Sequence, residues 1–230
     1  MRVVFMGTPD FSVPALEKIA EKHEVTGVVT QQDRPKGRGH KMQFTPVKEK
    51  AIELGIPVFQ PEKVKNPGFV DILREMNPDV IVVIAFGQIL SKEILDLPKH
   101  GCINVHASLL PKYRGAAPIQ WAVIDGEEHS GVTTMYMAEG LDTGDMIDKK
   151  IIKLDEKETG GSLFDKLSFE GGALILETLE KLENNTVKRI PQNDDESTYA
   201  GKITKELGQI DFYKSATEIE RLIRGLNPWP

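Results

Sequence analysis

Cysteine is nearly absent. Cys102 is the only one in 230 residues, which excludes an internal disulfide and a four-cysteine zinc site and leaves a small core residue as the natural reading of that position. The histidines His23, His40, His100, His106 and His129 show no His-x-x-x-His pair or other ligand spacing, so no metal is expected. Long apolar runs are missing too. The longest, Val80 to Phe86, falls far short of the roughly 20 residues needed to cross a bilayer. Met1 to Gly7 moves directly into a strand and turn, without the charged region, apolar region and cleavage site of a secretory signal, which places the chain in the cytoplasm. Positive charge is in the minority, 29 Lys and Arg against 35 Asp and Glu for a net charge of -6, which argues against a cationic coat for nonspecific nucleic-acid binding. Any such contact must be local. The stretch from Gln31 to Lys50 carries Arg34, Lys36, Arg38, His40, Lys41, Lys48 and Lys50, and charge alone leaves a solvated loop and a binding loop equally open.

With 40% hydrophobic and 28% charged residues, the chain can bury the core of one large α/β domain and part of a second. Arg2 to Met6 reads as a strand ended by Gly7-Thr8-Pro9, and Val13 to Ala20 has helical spacing. Strands follow at Val25 to Thr30 and Pro57 to Gln60, with helices at Pro46 to Leu54 and Phe69 to Met76. Val80 to Ala85 is apolar throughout, as in a strand buried on both faces of a parallel sheet, and should lie centrally. Lys92 to Leu95 and Ala117 to Ile124 read as helices and Cys102 to His106 as a strand. Two more strands, Val132 to Ala138 and Met146 to Leu154, precede a helix from Gly161 to Leu182. The expected fold is a doubly wound, mostly parallel α/β sheet with an antiparallel addition. The organisation expected is residues 1–184 as the main domain, 185–201 as a polar connector, and 202–230 as the start of another unit, with a strand at Gln209 to Tyr213 and a helix near Ala216 to Arg224.

Gly7-Thr8-Pro9-Asp10-Phe11 stands where a dinucleotide-binding fold places Gly-x-Gly-x-x-Gly, but only the first glycine is there and Pro9 removes a backbone donor. Spacing leaves an anion site and a tight packing turn equally open. Asn104 and His106, two apart on a strand, point to one face where the strand ends, so an amide and an imidazole can address one substrate atom. Asn is a neutral donor for a developing oxyanion, and His can donate a hydrogen bond there or exchange protons near neutral pH. Asp142, in Gly140-Leu141-Asp142-Thr143-Gly144-Asp145, could orient and charge that imidazole. Ser108 lacks a Gly-x-Ser-x-Gly elbow and reads as a turn or ligand hydroxyl.

Taken together, Gly7-Thr8-Pro9-Asp10-Phe11, Arg34-Pro35 with Gly37-Arg38-Gly39, Asn104-Val105-His106, Ser108-Leu109-Leu110-Pro111, Arg114-Gly115-Ala116-Ala117-Pro118, the Asp142 loop and Asn227-Pro228-Trp229-Pro230 resemble the 10-formyltetrahydrofolate-dependent formyltransferases along the whole chain. The resemblance implies the formyltransferase fold, with Asn104, His106 and Asp142 as catalytic residues. It implies 10-formyltetrahydrofolate as formyl donor, contacted by Phe86, Gly87, Gln88, Leu90, Ser108, Leu109, Leu110 and Pro111, with backbone groups reading the pterin. The acceptor it implies is the methionyl amine of initiator methionyl-tRNA, in support of translation initiation, with Arg38, Lys36 and Lys41 in the tRNA-contacting loop and the chain acting as a monomer. An attacking amine creates an oxyanion, and removing one pre-aimed donor from such a site costs about 3 kcal/mol.

Two departures stand out. Ala107 replaces a glycine common in the family, and the family continues past Pro230 into a β-barrel that helps bind tRNA, so residues 202–230 are expected to begin a truncated C-terminal domain. Formylation of a small amine is the nearest alternative, and a folate- or RNA-binding module without turnover is the alternative from another class.

Overall fold

A computed structural model describes residues 1–36 and 41–230, leaving aside the side chains of Lys36 and Lys41. The opening β-α-β unit is β1 (Arg2–Gly7), α1 (Val13–Lys22) and β2 (Glu24–Val29). A short hairpin follows, β3 (Arg34–Lys36) with β4 (Lys41–Gln43), then α2 (Pro46–Glu53), β5 (Val58–Phe59), α3 (Pro67–Met76), β6 (Val80–Ile84) and α4 (Lys92–Leu95). Next come β7 (Cys102–His106), β8 (Arg114–Gly115), α5 (Pro118–Asp125), β9 (His129–Tyr136), β10 (Met146–Lys153), the long α6 (Gly160–Glu183), β11 (Tyr199–Ala200) and α7 (Ala216–Gly225). Most of these lie within a residue or two of the sequence expectation, the ordinary uncertainty of element ends.

Seven strands form one sheet in the order β10-β9-β7-β6-β1-β2-β5. Pairing is parallel from β5 through β7 and antiparallel from β7 through β10, which is the doubly wound sheet with an antiparallel addition. Strand alternation divides the core. Val3, Phe5, Val82, Ile103 and Val105 face α1, α2, α5 and α6, while Val4, Met6, Ile81, Val83 and Cys102 face α3 and α4. All five residues of β6 are buried, since β1 and β7 flank it and helices cover both faces. Each such side chain contributes roughly 1.5–3 kcal/mol on burial. Cys102, at the start of β7, is buried as well, 2% exposed, and burial pushes its thiol up to about 12, as befits a packing residue.

One expectation needs correction. Gln209 to Tyr213 is no strand: Asp211 closes a local turn, its side chain accepting from the Tyr213 amide at 3.0 Å and its carbonyl from that of Lys214 at 3.2 Å, so the backbone is diverted from any ladder. Phe212 and Tyr213, which suggested a strand, are exposed. The segment 185–201 makes backbone pairs with the main sheet and with β8. Ile190 exchanges both backbone hydrogen bonds with Met146, and β11 pairs in parallel with β8. Beyond it, Ile203 and Leu226 pack with Ala117 against Trp121 and Ile124 of α5.

Candidate active site

The parallel strands run outward from β1 in two directions, β2 and β5 to one side and β6 and β7 to the other. The order therefore reverses between β1 and β6, and open sheets of this kind bind ligands outside the carboxyl ends of the strands at that point. The turn after β1 is locked to the loop after β6. Thr8 donates its hydroxyl to the Phe86 carbonyl at 3.0 Å and Ser12 donates to the Ile84 carbonyl at 2.7 Å. A Cβ on Gly7 would lie 2.9 Å from both Phe5 and Ser12 and 3.1 Å from the Ile84 carbonyl, so glycine is needed for close packing there. The Gly-Thr-Pro motif is a packing turn.

β7 carries Asn104 and His106 to the same edge. Asn104 pairs with Val83 of β6 and Met135 of β9 and is half-buried, and its side-chain amide makes no hydrogen bond among the described residues. His106 is 7% exposed. Its Nε2 lies 2.8 Å from the Tyr113 carbonyl, which can only accept, so Nε2 carries the hydrogen and Nδ1 is the nitrogen left for other partners. Asp142 stands near it: its Oδ2 is 3.7 Å from Nδ1, too far for a formed hydrogen bond, and as both are acceptors while the proton is on Nε2, one forms only when the ring carries both protons.

Asp142 reaches this position by a long detour. β9 ends beside the start of β7, where Met137 donates its amide to the Cys102 carbonyl at 2.8 Å, and the loop folds back so that Asp142 meets His106 at the other end of the strand. Oδ2 of Asp142 also accepts from the Gly115 amide at 2.8 Å. Gly115 has a φ of 113, and a Cβ there would lie 2.8 Å from the Ala200 carbonyl, so only glycine fits between β11 and the carboxylate.

The expected donor-contact residues split. Phe86, Leu90, Ser108 and Leu110 turn their side chains into the protein, Phe86 and Leu90 joining the core under α3 and α4. Ser108 donates to the Lys112 carbonyl at 2.6 Å, which makes it a turn hydroxyl, and Thr133 braces the same turn by donating to the Ser108 carbonyl at 2.7 Å. The Gln88 side chain is also engaged, accepting from the Val64 amide at 2.7 Å. Gly87 is exposed, and Leu109 and Pro111 are half-buried. Ile89, in the same expected segment, is 87% exposed beside them. Among the described residues, no hydrogen bond engages the backbone amides or carbonyls of Gly87, Gln88, Ile89 or Leu90, so this loop offers both donors and acceptors to a heterocycle.

At the switch point, a cavity of about 470 Å³ opens between Thr8 and Pro9 after β1, Ala85, Phe86 and Gly87 after β6, and the hairpin base at Pro35, Phe44 and Pro46. Beneath that hairpin, Lys48 pairs with Asp33 at 2.5 Å and with Gln60 at 2.8 Å, and Gln60 donates to Asp33 and to the Gln31 carbonyl, each at 2.8 Å. Arg38 lies outside the described residues, as do the side chains of Lys36 and Lys41, whose backbones pair at the end of the hairpin. Among the described residues, no group of three or more His, Cys, Asp or Glu is placed to hold a metal ion.

An unpaired amide and an imidazole at a parallel-sheet edge, with a carboxylate set against the imidazole, equip this site for acyl transfer. The comparison with known proteins narrows that class, and the chain belongs to the formyl transferase family, whose pattern it matches over residues 1–179, with the formyl transferase C-terminal domain matched at residues 202–230. It is 64% identical to the methionyl-tRNA formyltransferase of Agathobacter rectalis and 61% identical to that of Lachnospira eligens, in each case over its whole length and over 74% and 73% of theirs. Among solved structures, an N-formyltransferase from Helicobacter canadensis, in complex with folinic acid and dTDP-3-aminofucose, superposes with a TM-score of 0.73 at 24% identity, covering 97% of this chain and 79% of that one. At that identity the likeness is one of fold.

Sequence reasoning missed three participants. Tyr113 lends only a backbone carbonyl, and Arg114 and Gln192 act on the Asp142 loop from a distance. Arg114 stood in a recognisable motif. Nothing in residue type or spacing marked Gln192.

Proposed function

We propose that this chain transfers the formyl group of 10-formyltetrahydrofolate to the α-amino group of methionine on initiator methionyl-tRNA, acting as a cytoplasmic monomer. The observation that carries the reading is the meeting of Asn104, His106 and Asp142 at one strand end, in a chain 64% identical to a methionyl-tRNA formyltransferase. The donor supplies the formyl carbon when bound, and the free backbone groups of Gly87 to Leu90 suit its pterin. Asn104 offers a neutral N–H to the oxygen that gains charge as the amine attacks. His106, fixed through Nε2, presents its Nδ1 lone pair to the same region; Asp142 holds the ring once Nδ1 is protonated and helps take the amine proton through water. The switch-point cavity beside this centre receives the aminoacyl end of the acceptor, and Arg38, Lys36 and Lys41 meet the nucleic acid. In this reading residues 1–184 are the catalytic unit and residues 202–230, beyond the connector 185–201, open a tRNA-binding unit.

The test is single-turnover transfer at high enzyme concentration, with initiator methionyl-tRNA and small amines offered in parallel. Formyl-methionyl-tRNA as the product is the expected result. Formylation of a small amine alone would move the chain to a sister activity, and no transfer to any acceptor would overturn the reading.

A further inference from the structure

Gln192 lies in the polar segment that precedes β11, and its side-chain amide is fully engaged. Nε2 donates to the carbonyls of Asp142 and Gly144, each at 2.8 Å, and Oε1 accepts from Arg114 Nε at 3.0 Å and Nη2 at 2.8 Å. An amide turned end for end would face its NH2 toward the guanidinium and its oxygen toward two carbonyls, so its surroundings fix its orientation. Arg114 is itself seated, 11% exposed, with Nη2 2.8 Å from Asp194 Oδ1.

The loop that Gln192 grips is one that needs gripping. Asp142 has a φ of 51, in the left-handed region that is uncommon for residues with a Cβ, although Asp enters it more readily than most. Its carboxylate has a single hydrogen bond from the described residues, the one from the Gly115 amide. The run Tyr113-Arg114-Gly115 thus carries three handles in three consecutive residues. The Tyr113 carbonyl sets the His106 ring, the Gly115 amide sets the Asp142 carboxylate, and the Arg114 side chain sets Gln192, which holds the Asp142 backbone.

We propose that Gln192, seated by Arg114, is a positioning residue for formyl transfer: by clamping the Asp142 and Gly144 carbonyls it keeps the Asp142 carboxylate against His106. This rests on the reading of Asp142 and His106 as the reacting pair. The informative variant is Gln192→Glu, which keeps the size and the Arg114 contact but turns the two donors into an acceptor facing two carbonyls. It and Gln192→Ala should lower kcat by about a hundredfold, the scale of misplacing a reacting group by about an ångström, with KM for donor and acceptor within about twofold of wild type.

A contribution to folding alone would cut the rate by the same factor whether or not Asp142 is present. In the Asp142→Ala background, Gln192→Ala should therefore cost nothing further. An undiminished second loss overturns the proposal, as does a kcat unchanged in Gln192→Glu. If the wild-type chain formylates no acceptor, the functional reading fails, and hydrogen exchange of the amides of residues 140–145 tests the clamp separately. Exchange faster in Gln192→Ala than in wild type there, and unchanged in β6, upholds the positioning; equal exchange in both proteins overturns it.

Discussion

The strand ends on the two sides of the switch point differ in what their side chains present. On the β7 side, His106, Asp142 and Gln192 are each tied by hydrogen bonds to a backbone group from another segment, and Ser108 to one in its own turn. On the β2 side, the cavity wall combines Pro9, Pro35, Phe44 and Pro46 with Thr8 and Gln31, which both donate to the Phe86 carbonyl, and the charged tie between Asp33 and Lys48 lies beneath the hairpin. The difference matches two tasks. A group that must meet a reacting atom loses rate when it is misplaced by an ångström, whereas a surface that receives a large acceptor works through shape and apolar contact with a few charges at its rim. Damage on the first side should therefore fall on kcat and damage on the second on KM for the acceptor.

The sharpest break in that comparison is His106→Ala, expected to lower single-turnover transfer by about a thousandfold while donor affinity, measured by fluorescence titration, stays within about twofold. Asn104→Ala should follow with about a hundredfold loss of kcat, the scale of one removed oxyanion donor. A rise in donor Kd that accounted for either loss would assign these residues to binding. Across the switch point, Arg38→Ala should raise KM for methionyl-tRNA by about tenfold or more, the scale of one charge-assisted hydrogen bond, and leave donor affinity alone. Equal weakening toward both substrates would count against the loop as a tRNA reader.

How much of this was legible in the sequence depended on where the determining contact came from. β7 and its pair Asn104 and His106 could be read because an apolar strand pattern, period-2 alternation and a Gly-rich sequel coincide within a few residues. Which nitrogen of His106 faces the substrate could not, since that depends on a backbone carbonyl delivered by Tyr113, whose own φ is 60. Gln192 was invisible for a related reason: its partners lie 50 and 78 residues away, and a polar residue among Asn and Asp carries no periodic signal. The misread strand at Gln209 to Tyr213 shows the converse, an apolar and aromatic pattern overruled by one aspartate that offers its neighbours a local turn.

The smallest effect concerns the base of the hairpin. Hydrogen bonds from Lys48 and then Gln60 hold the Asp33 carboxyl below its ordinary value. A carboxylate whose folded pKa is depressed contributes stability that is present above its unfolded pKa, near 4, and is lost as pH falls through the folded value. Asp33→Asn should therefore lower Tm slightly at pH 7, and the gap from wild type should close as the pH is brought below about 4. Acceptor KM ought to rise in the same variant with kcat unchanged, because the latch shapes the hairpin beside the cavity and touches nothing on the β7 side. A Tm gap that persisted undiminished at pH 3 would mean that Asp33 acts through packing rather than charge, and a fall in kcat would show that the two sides of the switch point are mechanically joined.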